Sequence, residues 1–402
     1  MAQEHEVTDV LIIGGGVAGP ALACALRDTD LKITLIEKSD APADTARGDH
    51  LQPKTCEILE RWGVLEDVFK CGAEKRRGAT WLTKDGEVLM HSSIAELPIS
   101  HPYFAFLNHE KISTTLLAAA ARSSNFEIVR PIRNWWLENS PERNKLVRIG
   151  LTDGTERLIS TGMLVGADGR ASRTRKFVGI ESESRTYSNP ISVLFADNRD
   201  SDPANNVRVF LSDGCMVSVI PRTGGGCKIG IPMPPEDVKD WRKADAATLK
   251  KRLYEIVPTL NVDNLRFGDA YPPIFLQTRS WVKDNVVLIG DACHAMHPAR
   301  SQGMNIAIRC IDELAARLMR EASPLDAGNV ASILADYEAE MKPRIDPLLA
   351  QNHRSGLEMD DMNAARHAKT VESIERLQSD PKALHRYSMN AAGYGDSGTS
   401  NT

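Results

Sequence analysis

The chain has 402 residues, 26% of them charged, and a formal net charge of −5. The length predicts two or three domains with an ample core, and the acidic balance gives no reason to expect a nucleic-acid partner. Seven scattered cysteines without a C-x-x-C pair indicate a reducing compartment. They argue against both a disulfide scaffold and a zinc site.

The N-terminal residues are polar and acidic, so no signal peptide is expected at the start of the chain. The sequence contains no uninterrupted apolar segment of about 18 residues, the length that suggests a membrane-spanning helix. We therefore expect a cytoplasmic protein without a transmembrane segment, either a monomer or a homodimer.

The first strong pattern is a short apolar run that ends in a glycine-rich turn, Asp9–Gly19. Its branched residues predict a buried parallel strand, and the small residues of Pro20–Arg27 predict a helix. The spacing Gly14-x-Gly16-x-x-Gly19 fits a dinucleotide fingerprint, in which glycine permits the tight turn, the approach of a pyrophosphate and close helix packing. We predict an adenine-dinucleotide site here, with a plain strand-turn-helix as the alternative.

A second apolar strand, Ile33–Ile36, ends at Glu37, whose carboxylate could hold a ribose hydroxyl. The polar loop Lys38–Arg47 follows. Arg47 is either a solvated loop cation or a contact to the cofactor. His50 lies just before the next helix. It is either a packed or solvated histidine or a catalytic base.

The following residues alternate between further strands and a helix. Thr80–His91 and Leu146–Ile159 predict hairpins. We predict that Asn108 is the N-cap of a helix over His109–Arg122. Phe126–Arg130 is predicted to form another strand of the first sheet.

A second informative stretch, Met163–Arg170, is a strand that ends in Asp168-Gly169. On the residues alone, Asp168 is either a helix cap or a cofactor contact. Residues 185–280 then change character, with short strands and turns that predict an antiparallel sheet. Gly224–Gly226 is interpreted as one of its hairpin turns, and Pro235–Val257 contains a helix with a solvated face.

A buried strand returns at Val286–Ala292 and ends at Asp291, before an amphipathic helix that starts near Gly303. The first domain is therefore predicted to be discontinuous. His294 and His297 could suggest a metal pair, but they lack a third ligand and no metal is expected.

With these three stretches in order, the sequence resembles the single-component (group A) FAD-dependent aromatic hydroxylases, the para-hydroxybenzoate hydroxylase-like group. The resemblance covers about residues 7–350. It implies an α/β fold: a Rossmann-like FAD-binding domain of the glutathione-reductase type, with an inserted antiparallel β-sheet substrate domain and C-terminal helices. The expected FAD domain is 1–75, 101–180 and 281–325, and the substrate domain is 76–100 and 181–280. Helices over 326–390 and a disordered tail, 391–402, complete the expected organisation.

The resemblance also implies which residues contact the cofactor. The pyrophosphate lies at the glycine turn, the adenosine ribose at Glu37, the ribityl chain at Asp291, and the flavin ring beside Pro298 and the start of the next helix. The full set of expected cofactor contacts is Gly14, Gly15, Gly16, Val17, Ala18, Gly19, Glu37, Lys38, Arg47, His109, Asp168, Asp291, Pro298, Gly303, Met304 and Asn305.

Two positions depart from the family pattern. Ser301 stands where the family usually has glycine, close to the flavin face. His109 stands where the family often has an arginine that contacts the phosphates. We expect the His109 departure to weaken FAD binding more than the chemistry, with a stronger contact at low pH through the imidazolium.

The activity implied by the resemblance is aromatic hydroxylation, in which NADH or NADPH reduces FAD and O2 adds to give a C4a-hydroperoxide that oxygenates a phenolic or heteroaromatic ring. His50 is the candidate catalytic base. Four side chains of the second sheet are candidate substrate contacts: Phe210, Met216, Ser218 and Ile220. The alternatives are a flavin oxidoreductase of the same fold without oxygen insertion, such as an isoprenoid reductase, and a non-redox binding protein. A halogenase is disfavoured because the Trp-x-Trp-x-x-Pro signature is missing.

Overall fold

The computed structural model describes residues 5–41, 50–138, 144–198, 206–320 and 327–395, apart from the side chains of residues 327, 364 and 366. Its helices are α1 (Ala18–Ala25), α2 (Pro53–Arg61), α3 (Leu65–Lys70), α4 (His109–Ala120), α5 (Arg173–Phe177), α6 (Pro235–Lys243), α7 (Ala246–Ile256), α8 (Gly303–Arg320), α9 (Ala327–Asp360), α10 (Ala364–Ser379) and α11 (Pro381–Ala391). Single 3₁₀ turns lie at Gly290–Ala292 and Pro298–Arg300.

The strands of the same residues form four sheets. They are β1 (Glu6–Ile13), β2 (Ile33–Ile36), β3 (His50–Leu51), β4 (Glu74–Arg76), β5 (Gly78–Thr83), β6 (Val88–Ser93), β7 (Phe104–Phe106), β8 (Phe126–Val129), β9 (Ile132–Glu138), β10 (Lys145–Leu151), β11 (Glu156–Gly166), β12 (Ser182–Thr186), β13 (Ile191–Asn198), β14 (Val207–Ser212), β15 (Cys215–Pro221), β16 (Cys227–Pro232), β17 (Val262–Tyr271), β18 (Ile274–Thr278), β19 (Val282–Lys283), β20 (Val286–Leu288) and β21 (His294–Ala295).

The first sheet has a parallel centre in the order β20-β11-β1-β2-β8. Strand β19 extends one edge, and β10 and β9 pair in succession beside β11, all antiparallel. Val10–Ile13 of β1 are nearly inaccessible to solvent, as expected for a central parallel strand that is buried on both faces. Burial of each such side chain contributes about 1.5–3 kcal/mol to folding.

The second sheet has seven strands in the order β17-β13-β16-β15-β14-β5-β6. Its pairs are antiparallel except for one: β14 runs parallel to β5. Helices α6 and α7 pack on one face, around a core of its own that includes Val217, Ile229 and Leu253. Helices α10 and α11 lie at the edge formed by β5, β6 and β14. This second sheet agrees with the expected insertion, since β13 to β17 lie between β11 and β20 of the first sheet.

Two short sheets join the larger ones. Strands β3, β7 and β4 form one, and β12, β18 and β21 form the other. For the segment β13–β17, the chain enters the second sheet after β12 and leaves it before β18, and these two strands pair with each other. The two crossings that bound this segment therefore run side by side.

The first residues of the tail that was expected to be disordered, 391–402, are ordered in the structure. Disorder was expected from residue 391, yet Ala391 ends α11 and Ala392 is fully buried. The backbone N–H of Lys54 donates to the Ala392 carbonyl at 3.1 Å, and the Tyr394 hydroxyl donates to Glu57. Residues 391–395 are thus held against α2, and residues 396–402 lie outside the described residues.

Within the described part of the chain, helices fall short of the length and apolar character that crossing a membrane requires.

Candidate functional site

The glycine turn after β1 is shaped by close packing at two of its glycines. Gly14 has a φ of +116°, and a Cβ there would lie 2.4 Å from the Ala167 carbonyl oxygen. A Cβ on Gly19 would lie 2.1 Å from the carbonyl oxygen of Gly14. These two glycines are required by the protein itself, because a side chain would push α1 or β11 away from β1.

Gly16 differs, because a Cβ there would meet nothing within 4 Å and the residue is exposed. The protein's own packing therefore gives no reason for glycine at this position. Helix α1 begins beside it, and Val17 at the N-cap provides no side-chain hydrogen bond to the helix. Open space beside exposed N–H groups at a helix start suits an anionic diphosphate that approaches the backbone.

Ser113 supports this turn from α4, and the sequence patterns did not reveal it. Its buried hydroxyl donates to the carbonyls of Gly15 at 3.1 Å and Gly16 at 2.8 Å. A serine inside a helix carries no signal of such a contact, because the partner lies about 100 residues earlier in the chain.

Glu37 lies at the turn, as the fingerprint spacing predicts. Its Oε2 accepts from the Gly15 N–H at 2.5 Å, and its Oε1 accepts from the Ser39 N–H at 2.8 Å. A carboxylate thus borders the turn on the side of β2. Lys38 is exposed directly after it, and Arg47 lies outside the described residues.

Asp168 caps a helix, which is one of the two interpretations of its sequence. Its carboxylate accepts from the Ser172 hydroxyl at 2.5 Å, and from the backbone N–H groups of Arg173 and Thr174 at 2.7 and 2.9 Å. A Cβ on Gly14 would lie 3.1 Å from the Asp168 backbone nitrogen. Asp168 therefore fixes the backbone against which the glycine turn packs.

Arg175 joins this stretch to the third one. Its buried guanidinium donates to the Arg170 carbonyl at 3.0 Å and to the Ala292 carbonyl at 2.8 Å. Asp291 lies in the turn just before Ala292, and a Cβ on Gly290 would lie 2.9 Å from the Cβ of Ala18. The structure therefore brings the three sequence stretches together at the carboxyl end of the parallel sheet.

The turn from His297 to Ser301 leads into α8. His297 accepts at Nδ1 from the Ala299 N–H at 3.1 Å and so caps the turn Pro298–Arg300. Ser301 has a φ of +48° and lies in the left-handed region. This conformation costs a non-glycine residue about 1–2 kcal/mol of conformational free energy. Glycine would adopt it without that cost.

Asn305 connects the start of α8 to the residues before α2. Its fully buried side chain accepts from the Gln52 N–H and the Thr55 hydroxyl, both at 2.8 Å. It donates to the carbonyls of His50 and Ser301, both at 3.2 Å. Asn305 was predicted as a cofactor contact, and the hydrogen bonds described above for its side chain lie within the protein. Gly303 and Met304 lie in the same first turn of α8, whose N–H groups have no partner within the helix.

His50 packs between two aromatic rings. Its ring stacks on Phe106 at 5.2 Å and meets the edge of Phe104 at 5.4 Å. Burial lowers the pKa of His50 to about 4, so its imidazole is neutral at physiological pH. Since phenols titrate near pH 10, an imidazole with this pKa is a weak base for a phenolic proton.

His109 is the first residue of α4, and Asn108 occupies the N-cap position, as predicted. The Asn108 side chain does not cap the helix, however. Its Oδ1 accepts instead from the Arg222 Nε at 3.4 Å. This contact joins the end of β15 in the second sheet to the start of α4, next to His109.

The candidate substrate residues divide between the two faces of the second sheet. Met216, Ser218 and Ile220 alternate along β15 and share a face. Phe210 pairs with Val217 and packs on the opposite face, in the core under α6 and α7. The structure therefore corrects the expectation that all four side chains line one surface.

The face of Met216 is the one against which α10 and α11 pack. Met216 belongs to an apolar cluster with Met90, Leu211 and Tyr387 of α11. Burial raises the pKa of Tyr387, and the nearby Arg300 guanidinium opposes that rise. One face of the second sheet, α11 and the turn before α8 thus lie close together.

The rings of His294 and His297 pack against different aromatic side chains. The ring of His294 lies beside Trp281 at 5.6 Å, and the ring of His297 lies beside Tyr187 at 4.6 Å. Among the described residues, histidine, cysteine and acidic side chains form no group of three or more with metal-binding geometry.

We expect His297 to make the protein less stable as the pH falls from 7.5 to 5. Burial lowers the pKa of His297 to about 4, so the unfolded chain, with a pKa near 6.5, binds the proton more readily. The stability that neutral His297 contributes is fully present above the pKa of the unfolded state. It is lost as the pH falls toward the pKa of the folded state. By pH 5 the loss is about 2 kcal/mol.

Urea unfolding of the wild type and of His297→Asn, measured across this range, checks the prediction. Asparagine can still accept from the Ala299 N–H but does not titrate, so the variant should show a shallower decline. Equal slopes for the two proteins would contradict the assignment of the pH dependence to His297.

These features describe a chain built to hold a dinucleotide across the end of a parallel sheet, and comparison with known proteins agrees. Residues 7–352 match the FAD binding domain family, and the chain belongs to that family. Among its relatives is 6-methylpretetramide 4-monooxygenase of Streptomyces rimosus, 28% identical over 309 residues that cover 75% of this chain and 73% of the relative. Another is 6-hydroxynicotinate 3-monooxygenase of Bordetella bronchiseptica, 25% identical over 84% of this chain and 89% of the relative.

A solved structure agrees with the fold over nearly the whole chain. PqsL of P. aeruginosa superposes with a TM-score of 0.77 and 25% identity, covering 91% of this chain and 100% of PqsL. The protein is thus a flavoprotein oxidoreductase of the group A monooxygenase kind, with FAD as its cofactor. This confirms the family, the fold class and the enzyme class expected from the sequence.

Proposed function

We propose that the protein is a monooxygenase that uses NADH or NADPH and O2 to hydroxylate a small phenolic or heteroaromatic substrate. The observation that carries the proposal is the meeting of the glycine turn, the Asp168 stretch and the Asp291 stretch at one edge of the parallel sheet. The names of the relatives support an aromatic substrate, since 6-hydroxynicotinate is a small heteroaromatic acid.

FAD binding would begin at the glycine turn. The first N–H groups of α1 would bind the pyrophosphate, with open space at Gly16 for its approach. Glu37 would accept a hydrogen bond from a ribose hydroxyl, and Asp291 from the ribityl chain. We assign cofactor contacts to Gly14, Gly15, Gly16, Val17, Ala18, Gly19, Glu37, Lys38, Arg47, His109, Asp291, Pro298, Gly303 and Met304, and supporting roles to Asp168 and Asn305.

At the other end of the cofactor, α8 would favour negative charge. Its first N–H groups, from Gly303 onward, and the positive end of its dipole would face the ring edge where the reduced flavin is anionic. Asn305 holds this helix start against His50 and Gln52, so the donors keep a fixed direction. The bound flavin supplies oxygen transfer from O2 to an electron-rich ring, with electrons from NADH or NADPH.

The substrate would lie between the turn before α8 and the inner face of the second sheet. Met216, Ser218 and Ile220 are our candidates for that face, where the half-buried Met216 packs in an apolar cluster. The neutral imidazole of His50 would serve as a hydrogen-bonding or packing group at physiological pH. Its low pKa argues against a role as the base that removes a phenolic proton.

The proposal is tested by a substrate screen with labelled oxygen. We expect the purified protein to bind FAD and turn yellow, and a phenol, an aromatic acid or a quinolone to stimulate NADH or NADPH oxidation. The product formed under ¹⁸O2 should carry one labelled oxygen atom. Stimulated oxidation with an unlabelled, reduced product would favour a reductase without oxygen insertion. A protein that stays colourless with added FAD would favour the non-redox alternative.

We also propose a cytoplasmic location, with a monomer or homodimer as the working state. All seven cysteines are free thiols, and six of them are buried. Unpaired buried thiols are typical of reducing compartments.

A further inference from the structure

Helix α9 continues beyond residue 352, where the match to the family ends, and its last turns contact two distant parts of the chain. One part is the turn from His297 to Ser301. The other is the crossing Tyr187–Asn189, which leads from β12 into β13 of the second sheet. Neither contact was expected from the sequence.

The first contact fixes the turn before α8. Asn352 is fully buried, and its Nδ2 donates to the His297 carbonyl at 3.0 Å. One turn further along α9, a Cβ on Gly356 would lie 2.7 Å from the Cβ of His297 and 2.8 Å from the Tyr187 hydroxyl oxygen. Glycine at 356 is therefore what lets α9 lie against both residues.

The second contact fixes the crossing. The carboxylate of Asp360 accepts from the N–H groups of Ser188 at 2.9 Å and Asn189 at 2.7 Å. The Asp360 carbonyl accepts from the Asn189 side chain at 2.7 Å. Tyr187 is buried, and its hydroxyl pairs with Nδ1 of His353 at 2.6 Å.

The two contacts meet at a pair of rings. Tyr187 meets His297 edge to face with ring centroids 4.6 Å apart, and His297 caps the turn through the Ala299 N–H. Side-chain contacts therefore connect the crossing to the turn without a gap, and α9 packs against both. A shift of the second sheet at the crossing would press on His297, because packed side chains transmit displacement.

We propose that the end of α9, from Asn352 to Asp360, couples the second sheet to the turn before α8, with Tyr187 and Asn352 as positioning residues. This inference rests on the proposed function, which puts the flavin against that turn and the substrate under the second sheet. The end of α9 contacts both the second sheet and the turn before α8. A movement of the sheet is therefore expected to change the position of that turn.

Coupling of this kind is reciprocal, and the test uses that property. Asp360→Ala removes hydrogen bonds at the crossing, and Asn352→Ala removes one at the turn. Because the Asp360 carboxylate also acts electrostatically on His297, Asn189→Ala, which removes a neutral hydrogen bond at the crossing, accompanies Asp360→Ala and should show the same rise. In FAD-free protein, hydrogen exchange at Ala299 and Ser301 should rise at least about fivefold in Asp360→Ala. Exchange at Tyr187, Ser188 and Asn189 should rise similarly in Asn352→Ala. Arg354→Ala, at an exposed position on the same helix, is the matched control and should change neither segment.

FAD affinity provides the second readout. We expect both variants to bind FAD about fivefold more weakly than the control, as measured by quenching of flavin fluorescence. If each variant loosens only the segment it touches, the coupling is overturned, and the two crossing variants, Asp360→Ala and Asn189→Ala, decide this even if Asn352→Ala fails to fold. Reciprocal exchange with unchanged FAD affinity would support the coupling and overturn the proposed position of the flavin.

Discussion

Replacing Gly16 with valine should weaken FAD binding about 100-fold or more while the FAD-free protein keeps its stability to within about 1 kcal/mol. Apart from the neighbouring residues Gly15 and Val17, the protein contributes no atom within 4 Å of the position where the new Cβ would lie, so the fold has room for a side chain that points into this open space. The diphosphate cannot, because its approach to the backbone requires a glycine there. Titration of the variant with FAD, followed by flavin fluorescence, measures the loss.

Urea unfolding of the FAD-free variant provides the control for this prediction. A variant that unfolds much earlier than the wild type would mean that Gly16 is needed for folding, as Gly14 and Gly19 are. Unchanged FAD affinity in a folded variant would show that the diphosphate lies elsewhere.

Gly19→Ala should have the opposite effect, a loss of about 3 kcal/mol in the free energy of unfolding without any ligand present. The added Cβ would lie 2.1 Å from the Gly14 carbonyl oxygen, which is a backbone atom and cannot rotate away. Helix α1 must then move off β1, and the tightly packed core around Leu22 and Cys24 opens with it. Urea unfolding of the FAD-free protein measures the change.

Gly16→Ala is the matched control for this second prediction, since it adds the same methyl group three residues earlier in open space. We expect it to unfold within about 0.5 kcal/mol of the wild type. Equal stability of Gly19→Ala and Gly16→Ala would contradict the close contact between α1 and the turn.

The glycine turn, the Asp168 stretch and the Asp291 stretch could be recognised from the sequence because each is a local pattern. A strand, its last residue and the next helix start lie within about 15 residues of one another, so short-range rules apply. The contacts of Asn305 with Gln52 and of Ser113 with Gly15 have no such pattern. They join residues that only the tertiary fold brings together.

The orientation of Phe210 could have been predicted. The two-residue turn Asp213-Gly214 pairs Ser212 with Cys215, and this register pairs Phe210 with Val217. Side chains alternate between the faces of a sheet, so Phe210 must point away from Met216 and Ser218. The parallel pairing of β5 with β14 is different, because nothing in either strand indicates its direction or partner.

The order of the parallel sheet also has a consequence for synthesis of the protein. Strand β20 pairs with β11, so that edge of the sheet stays open until the ribosome has made residues 167–285. At translation speeds of about 5–20 residues per second, this takes roughly ten seconds. For that time the nascent chain displays Leu164 and Val165 on an unpaired apolar edge, a known starting point for aggregation. We therefore expect the yield of folded protein to depend on chaperones more than on the stability of the finished fold.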